Sequence, residues 1–453
     1  MRRLSLSLSA LYALWLLLPY SLPALGQEEY TFDLSEIEKE IEKKAYTFGG
    51  FLELRPVFYH LNRDSAFYRI RFGGQDKKST LEQYNFGLRL EGSYQKEITG
   101  FYFRADSLLW HNDEGWDKDF NFLEGYLSLK PAPSFTLDLG KKVLPWGKGY
   151  AFNPVAFVSR PKDPEDPTEA LEGFFVFTAD WIKSFKGPLK TLAFTPVVLP
   201  VSETVNEDFG RPDQINFAAK LYFLLWNTDI DLLFFTGGSR TTRYGFDFSR
   251  NLKTNFEIHG ELTYVTDFDQ KTIDQQGNLG IEKSDVVQSL LGFRYLTTND
   301  MTFIVEYYHN GGGLEKESAD NFFDFVDRAY DTFSFSGDSS RLSQAAHLAQ
   351  GTLGSAKPMR DYLYFRGSWK EPYDILYFNP ALTVIWNLAD RSSSTTLDLV
   401  YSPKTNLEIR MRGTILAGDA HTEYGEKLND YKIELRVRYY FDVQLSRLKS
   451  RGK

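Results

Sequence analysis

The chain has 453 residues, a formal charge of −9, no cysteine and 16% aromatic residues, with 27 Tyr and 38 Phe. The acidic balance argues against nucleic acid as a partner, and the missing cysteine excludes a disulfide framework, a lipoprotein anchor and a thiolate metal site. The length accommodates two or three soluble domains or one large barrel.

The N-terminus reads as an export signal. Arg2 and Arg3 precede the uncharged apolar run Leu4–Leu22, and Ala24-Leu25-Gly26 supplies small residues for cleavage after Gly26. Residues 1–26 are thus expected to be a signal peptide. Residues 27–46 are expected to be a periplasmic segment in which Leu34, Ile37 and Ile41 share one face of a short helix over 33–44, capped by Asp33 or Ser35, that either stays periplasmic or plugs the barrel, a solvated amphipathic leader being the alternative.

From Phe48 onward the hydrophobic period is two. In the last strand Tyr431, Ile433, Leu435, Val437, Tyr439 and Phe441 alternate with Lys432, Glu434, Arg436 and Arg438. Leu407, Ile409, Met411, Gly413 and Ile415 alternate with Glu408, Arg410 and Arg412, and Phe256, Ile258, Gly260, Leu262 and Tyr264 with Glu257, His259 and Glu261. Alternation over about ten residues suits a tilted strand crossing a bilayer, where only every second side chain meets lipid.

About eighteen such segments are expected, sixteen being the alternative count, starting near residues 48, 81, 98, 119, 134, 172, 188, 213, 227, 242, 253, 283, 300, 360, 374, 394, 405 and 430. Every second connection is a tight turn, as at Lys96-Glu97, Asn227-Thr228 and Pro403-Lys404. The intervening ones are generally longer, at 62–80, 112–118, 144–171, 200–212, 266–282, 312–359 and 418–429. Two, near Gly237-Gly238 and Arg391-Ser392, are short. Such alternation fits a bacterial transmembrane antiparallel β-barrel over 47–441, with short periplasmic turns and long external loops, and closure follows because an open sheet edge would leave unpaired backbone in lipid. Residues 442–453 are read as a basic periplasmic tail.

Several short motifs carry a family likeness. Glu124-Gly125-Tyr126-Leu127-Ser128-Leu129, Leu137-Asp138-Leu139-Gly140-Lys141-Lys142, Trp146-Gly147, Asn153-Pro154 and Arg160-Pro161-Lys162-Asp163-Pro164 resemble a recurrent signature of proteobacterial outer-membrane porins, with alginate-export-like barrels the nearest comparison. Glu306–Gly312 and Asn387–Ser392 are similar to later blocks of such families. The resemblance implies an outer-membrane channel inserted by the barrel-assembly machinery and conducting or exporting a polar or anionic solute or polysaccharide. Phe441 fits the terminal aromatic of this class, and the residues beyond it depart from the pattern.

If the apolar face meets lipid, the lumen is lined by Glu53, Arg55, Arg89, Glu91, Arg104, Asp106, Glu306, Arg366, Arg410, Arg412, Arg436 and Arg438, among others. Closure brings Arg55, Arg410, Arg412, Arg436 and Arg438 onto one wall. Two readings are open there: a ladder that guides anions, since arginine keeps its charge and forks onto carboxylate or phosphate, or a mesh paired with Glu53, Glu408 and Glu434. The 144–171 loop has five prolines, which restrict it, so it is either a constriction carrying Trp146, Lys148, Arg160, Lys162 and Asp163 or a rigid external loop. The 312–359 loop has weakly helical stretches at Phe322–Asp327 and Leu342–Ala349 that suit a lid or plug.

No Ser/His/acid pattern emerges among the six histidines, so no catalytic residue, cofactor or metal is assigned. Alternate residues on one strand stand about 7 Å apart, which makes Glu257, His259 and Glu261 a polar ladder rather than a chelate. A plugged barrel acting as scaffold for a periplasmic or extracellular partner, and less readily an outer-membrane hydrolase, are the alternatives to a channel.

Overall fold

A computed structural model describes residues 45–73 and 78–443. The expected signal peptide, the helix over 33–44 and the tail beyond 443 lie outside the described residues. The chain forms eighteen antiparallel strands: β1 (Tyr46–Leu61), β2 (Thr80–Lys96), β3 (Thr99–Asn112), β4 (Gly115–Ala132), β5 (Phe135–Lys142), β6 (Phe174–Ser184), β7 (Leu189–Val201), β8 (Gln214–Leu225), β9 (Thr228–Thr236), β10 (Arg243–Lys253), β11 (Phe256–Ile273), β12 (Leu279–Leu296), β13 (Met301–Asn310), β14 (Asp361–Trp369), β15 (Phe378–Asn387), β16 (Ser393–Lys404), β17 (Leu407–Ala417) and β18 (Asn429–Asp442). Each pairs with its neighbours in sequence, and β1 pairs with β18 with Glu53 opposite Arg438, so the sheet closes. No described helix is long and apolar enough to cross a membrane.

The period-two pattern sorts the wall. Leu52, Phe217, Leu291, Met411, Ile433 and Leu435 are exposed on the outside, whereas Asp231, Asp247, Glu306, Asp398 and Arg436 are buried inside. An apolar outer belt with polar groups within is the reverse of a soluble protein and fits a wall solvated by lipid.

Every expected strand start falls within four residues of an observed one. Two expected loops are not loops. Strands β3 and β4 continue until only 113–114 join them, and β11 and β12 continue to a turn at 274–278. Asp117, Lys118, Asp119, Asp269 and Lys271 lie in these extensions. There charged residues interrupt the apolar row (Lys118 between Trp116 and Phe120, Lys283 and Asp285 between Ile281 and Val287), so the apolar alternation is broken while the backbone ladder is not. Conversely, the short-turn position after β14 is an eight-residue segment, 370–377, containing a single 3-10 turn over Pro372–Asp374. At the β8–β9 turn both Trp226 and Asn227 have positive φ (49° and 57°), as a two-residue hairpin demands.

Three helices sit in the long loops. α1 (Ala66–Phe72), after β1, has no hydrophobic period long enough to announce it. It is capped by the Ser65 side chain, which accepts from the Tyr68 N–H, and by Gly73 at φ 52°. α2 (Lys316–Ser336) and α3 (Ser340–Gly351) lie between β13 and β14. Phe322, Phe323, Phe325 and Val326 of α2 and Ala345 and Ala349 of α3 pack into one core with Phe152, Tyr308, Tyr362 and Tyr364. The apolar core therefore lies on the inner wall, where side chains of the 143–173 loop and of α2 and α3 meet it.

Candidate functional site

The 143–173 segment joins β5 to β6 and is held at two further places. Its 148–155 stretch is bound by β11 and β13, and Glu165 and Asp166 are bound by β17 and β18. These attachments are spaced around an eighteen-strand ring, so the segment crosses the interior. Ala151, Phe152, Val155, Phe157 and Val158 are wholly buried.

Two wall carboxylates grip its backbone. Glu261 Oε1 accepts from the N–H groups of Lys148 and Gly149, both at 2.6 Å, and Oε2 accepts from Val155 N–H at 3.2 Å. Glu306 accepts from Tyr150 N–H and, at 2.9 Å, from Ala151 N–H, and is bridged to His259 Nε2 at 2.9 Å. Gly147 has φ +100°, and a Cβ there would stand 2.7 Å from Glu261 Oε1, so this position requires glycine. Apolar packing finishes the anchoring: Trp146, Val155, Phe157 and Val158 sit against Phe174, Val197, Leu233 and Phe235.

The expected constriction residues are distributed along this segment. Trp146 is buried in the wall core. Lys148 Nζ reaches Asp231 at 2.8 Å and Asp247 at 3.8 Å. Arg160 pairs with Asp208 and Glu172 and lies over the Phe174 ring. Lys162 Nζ donates to Gly149 O at 2.6 Å, and Asp163 Oδ1 accepts from Glu165 N–H at 2.9 Å.

On the wall near closure, the arginines are paired. Glu53 meets Arg438 at 2.5 Å and Arg55 at 3.5 Å, and Arg436 meets Glu434 at 3.0 Å. Arg410 and Arg412 share Asp398, at 2.8 and 3.0 Å, and Arg366 stands 3.7 Å from it. Arg89 forks onto Asp106 at 2.6 and 2.5 Å, while Arg104 bridges Glu91 and Glu124 at 3.2 and 3.3 Å. Phe51 lies between Arg89 and Arg438, with both guanidinium groups over its ring.

Sequence reasoning missed the loop's share of this mesh. Asp166 sits 3.2 Å from Arg410, 3.1 Å from Arg412 and 3.5 Å from Arg436, and Glu165 binds Lys432 at 2.7 Å. Burial opposes ionisation of Asp166, yet Arg412, Arg410 and Arg436 hold its carboxyl below the usual range. Glu408, the partner expected from alternation, makes no ion pair among the described residues, and Asp398 takes that place. The one clue was the run Lys162-Asp163-Pro164-Glu165-Asp166-Pro167, which puts acids in a stiff segment.

The pairing is asymmetric in depth. Arg55 is 21% exposed and Glu53 7%; Lys142 20% and Asp138 4%; Lys148 22% and Asp231 1%; Arg366 18% and Asp398 2%. Arg89 and Asp106, Arg104 and Glu91, Arg160 and Asp208, Lys432 and Glu165, and Arg436 and Glu434 run the other way, with the acid the more exposed partner. In the first four pairs the carboxylate forms the floor and the cation the surface. There a long side chain rooted on the wall reaches over a shorter acid, which leaves the cationic end of those pairs toward the water.

No sequence-family model matches this chain, and no curated protein sequence matches it. In structure the chain is similar to outer-membrane protein OprD of Pseudomonas aeruginosa, at 11% identity and TM-score 0.47 over 89% of this chain and 97% of that one. It is similar to OpdQ of the same organism, at 12% and 0.49 over 88% and 98%, and to OccAB1 of Acinetobacter baumannii, at 9% and 0.48 over 88% and 97%.

Proposed function

We propose that this protein is a bacterial outer-membrane channel that passes small polar solutes, anions in preference to cations, beside the inward 143–173 segment. The carrying observation is the set of four lumen pairs, at Arg55, Lys142, Lys148 and Arg366, in which the cationic end faces the water above a buried carboxylate. The apolar outer belt supports the membrane location. A ring of eighteen strands leaves an aqueous interior, and the inward segment with its polar wall makes a narrow place where field lines concentrate. An anionic polysaccharide, which the resemblance to alginate-export-like barrels brings in, is the extended member of this solute class.

A second reading, a plugged barrel that holds a partner, draws on the continuous core of lid helices, Phe152 and the β13–β14 wall. Planar-bilayer recording separates the two. The channel reading expects discrete conductance steps and a reversal potential on the anion side in a salt gradient. Cation preference would end the anion reading, and an absence of conductance from correctly folded barrel would favour the plug.

A further inference from the structure

One side chain of the β17–β18 loop ties that loop to the lid helix α2. His421 stands in the left-handed region at φ 62°, a conformation that costs a residue with a β-carbon, so its neighbours must hold it there. Its backbone N–H donates to Glu426 Oε1 at 2.8 Å, and Glu426 Oε2 accepts from Ala66 N–H at the start of α1. The turn so fixed brings the imidazole against α2. Nε2 stands 3.1 Å from Asp327 Oδ2 and Nδ1 3.5 Å from Asp324 Oδ1, and the ring stacks on Phe323 with centroids 5.9 Å apart. Asp324 and Asp327 are three residues apart and therefore share one helix face.

An imidazole that faces a carboxylate at each nitrogen is satisfied only as imidazolium, with a proton on both. In the neutral ring one nitrogen keeps its N–H and the other turns a lone pair on a carboxylate oxygen, acceptor against acceptor. The charged groups around the ring come from three elements. On α2 they are Asp324 and Asp327. On α1 it is Arg69, which binds Asp327 Oδ1 and lies over the Tyr330 ring at 5.3 Å. On its own loop Glu426 is filled by its two backbone N–H groups, Glu423 is turned to Tyr362 and Asn387, and Lys427 lies over the Phe67 ring. With the ring charged, two cations face Asp324 and Asp327; with the ring neutral, Arg69 alone faces both. Histidine ordinarily exchanges this proton at about pH 6.5 and aspartate at about 3.9, so between those values the ring sets the balance.

We propose that His421 is a proton-operated latch: in mildly acidic medium it clasps α2 to the β17–β18 loop, and as pH rises through the histidine range it releases the helix. The sign follows from the geometry, since both carboxylates are bound only while the ring carries two protons. The side chains are 32%, 50% and 41% exposed at His421, Asp324 and Asp327, so protons reach them from water and each pair contributes modestly. The latch therefore biases the lid rather than locking it. What it biases is the packing of Phe322, Phe323 and Val326 of α2 in one core with Phe152 of the inward segment. An effect on conduction rests on the channel reading above; the latch itself does not.

The test is hydrogen exchange on the purified full-length barrel at about pH 5.5 and about pH 8, corrected for intrinsic rates and read at the α2 amides of 322–330. Protection there should be about two- to fivefold lower at the higher pH, the size that partly exposed ion pairs supply. H421R, which stays charged, should keep α2 protected at both pH values, and H421Q should leave it at the weaker level at both. E423Q removes the other titrating acid of the same loop and should leave the α2 difference in place. Heat-modifiable migration checks that each variant is folded. Equal α2 protection at the two pH values in the wild type, or a pH difference that persists in H421Q, would overturn the latch. In planar bilayers the wild type should conduct less at the lower pH, and H421Q should lose that difference. Conductance that ignores a pH-dependent α2 would overturn the lid's part in conduction and leave the latch standing, and a folded barrel that never conducts would overturn the channel reading alone.

Discussion

Replacing Glu261 by alanine tests whether the inward segment is held by the wall. Glu261 is 3% exposed and accepts three backbone N–H groups, from Lys148, Gly149 and Val155. An N–H left buried without an acceptor costs about 1–3 kcal/mol, so E261A with the segment in place would lose about 3–9 kcal/mol. Swinging 147–156 toward water removes that penalty but exposes Phe152 and Val155, at about 1.5–3 kcal/mol each. The two costs are comparable, so the variant should populate an open segment. E261Q is the graded control: its carbonyl oxygen keeps the Lys148 and Gly149 bonds, and its amide faces Val155 N–H donor to donor, for a loss of about 1–3 kcal/mol. Single-channel recording should show larger and noisier conductance in the order wild type, E261Q, E261A. Hydrogen exchange should show lost amide protection at 148, 149 and 155. Wild-type conductance together with wild-type protection in E261A would refute the reasoning.

Other expectations follow from the same geometry. In D166N the three arginines 410, 412 and 436 lose a shared carboxylate, so the anion-to-cation permeability ratio should rise about two- to fivefold; a reversal potential that moves toward cations would contradict this. Burial pushes the Glu423 carboxyl up to about 7 from its ordinary 4.5. A raised acid favours the fold while protonated, so its contribution is full below about pH 4.5 and falls away up to about pH 7, by about 3 kcal/mol. The 418–428 loop should accordingly exchange faster at pH 7.5 than at pH 5 after correction for intrinsic rates, and E423Q should flatten that difference. Leu291 lies on the outer belt, so L291R should destabilise the barrel in lipid by about 2–4 kcal/mol, read as a lower urea midpoint for loss of heat-modifiable migration, whereas L291F should leave it unchanged.

Strand existence was legible because an apolar outer face recurs along the wall at every second residue, with polar groups opposite it except where β6, β7 and β9 meet the inward segment. The β17 and β18 alternations, with arginines on one face and Ile433, Leu435 and Met411 on the other, show it without any tertiary knowledge. The rule fails where lipid ends. In the β3–β4 and β11–β12 hairpins charged residues such as Lys118, Lys283 and Asp285 break the apolar row, so sequence reads loop where the ladder continues. α1 escaped because a seven-residue helix held by Ser65 and by Glu426, which accepts from Ala66 N–H at 2.5 Å, depends on a residue far along the chain.

Sequence by itself determined the closed antiparallel barrel and its strand count to within two, since both follow from a period-two pattern and from backbone groups that cannot be left unpaired in lipid. Tertiary structure decided everything that depends on contacts across the ring. It carried the 143–173 segment inward onto Glu261 and Glu306, chose Asp166 and Asp398 as the arginines' partners in place of Glu408, and sank Asp138, Asp231 and Asp398 beneath Lys142, Lys148 and Arg366. Those outcomes turn on how far a side chain reaches over its partner and on which loop fills the interior, and neither has a periodicity along the chain.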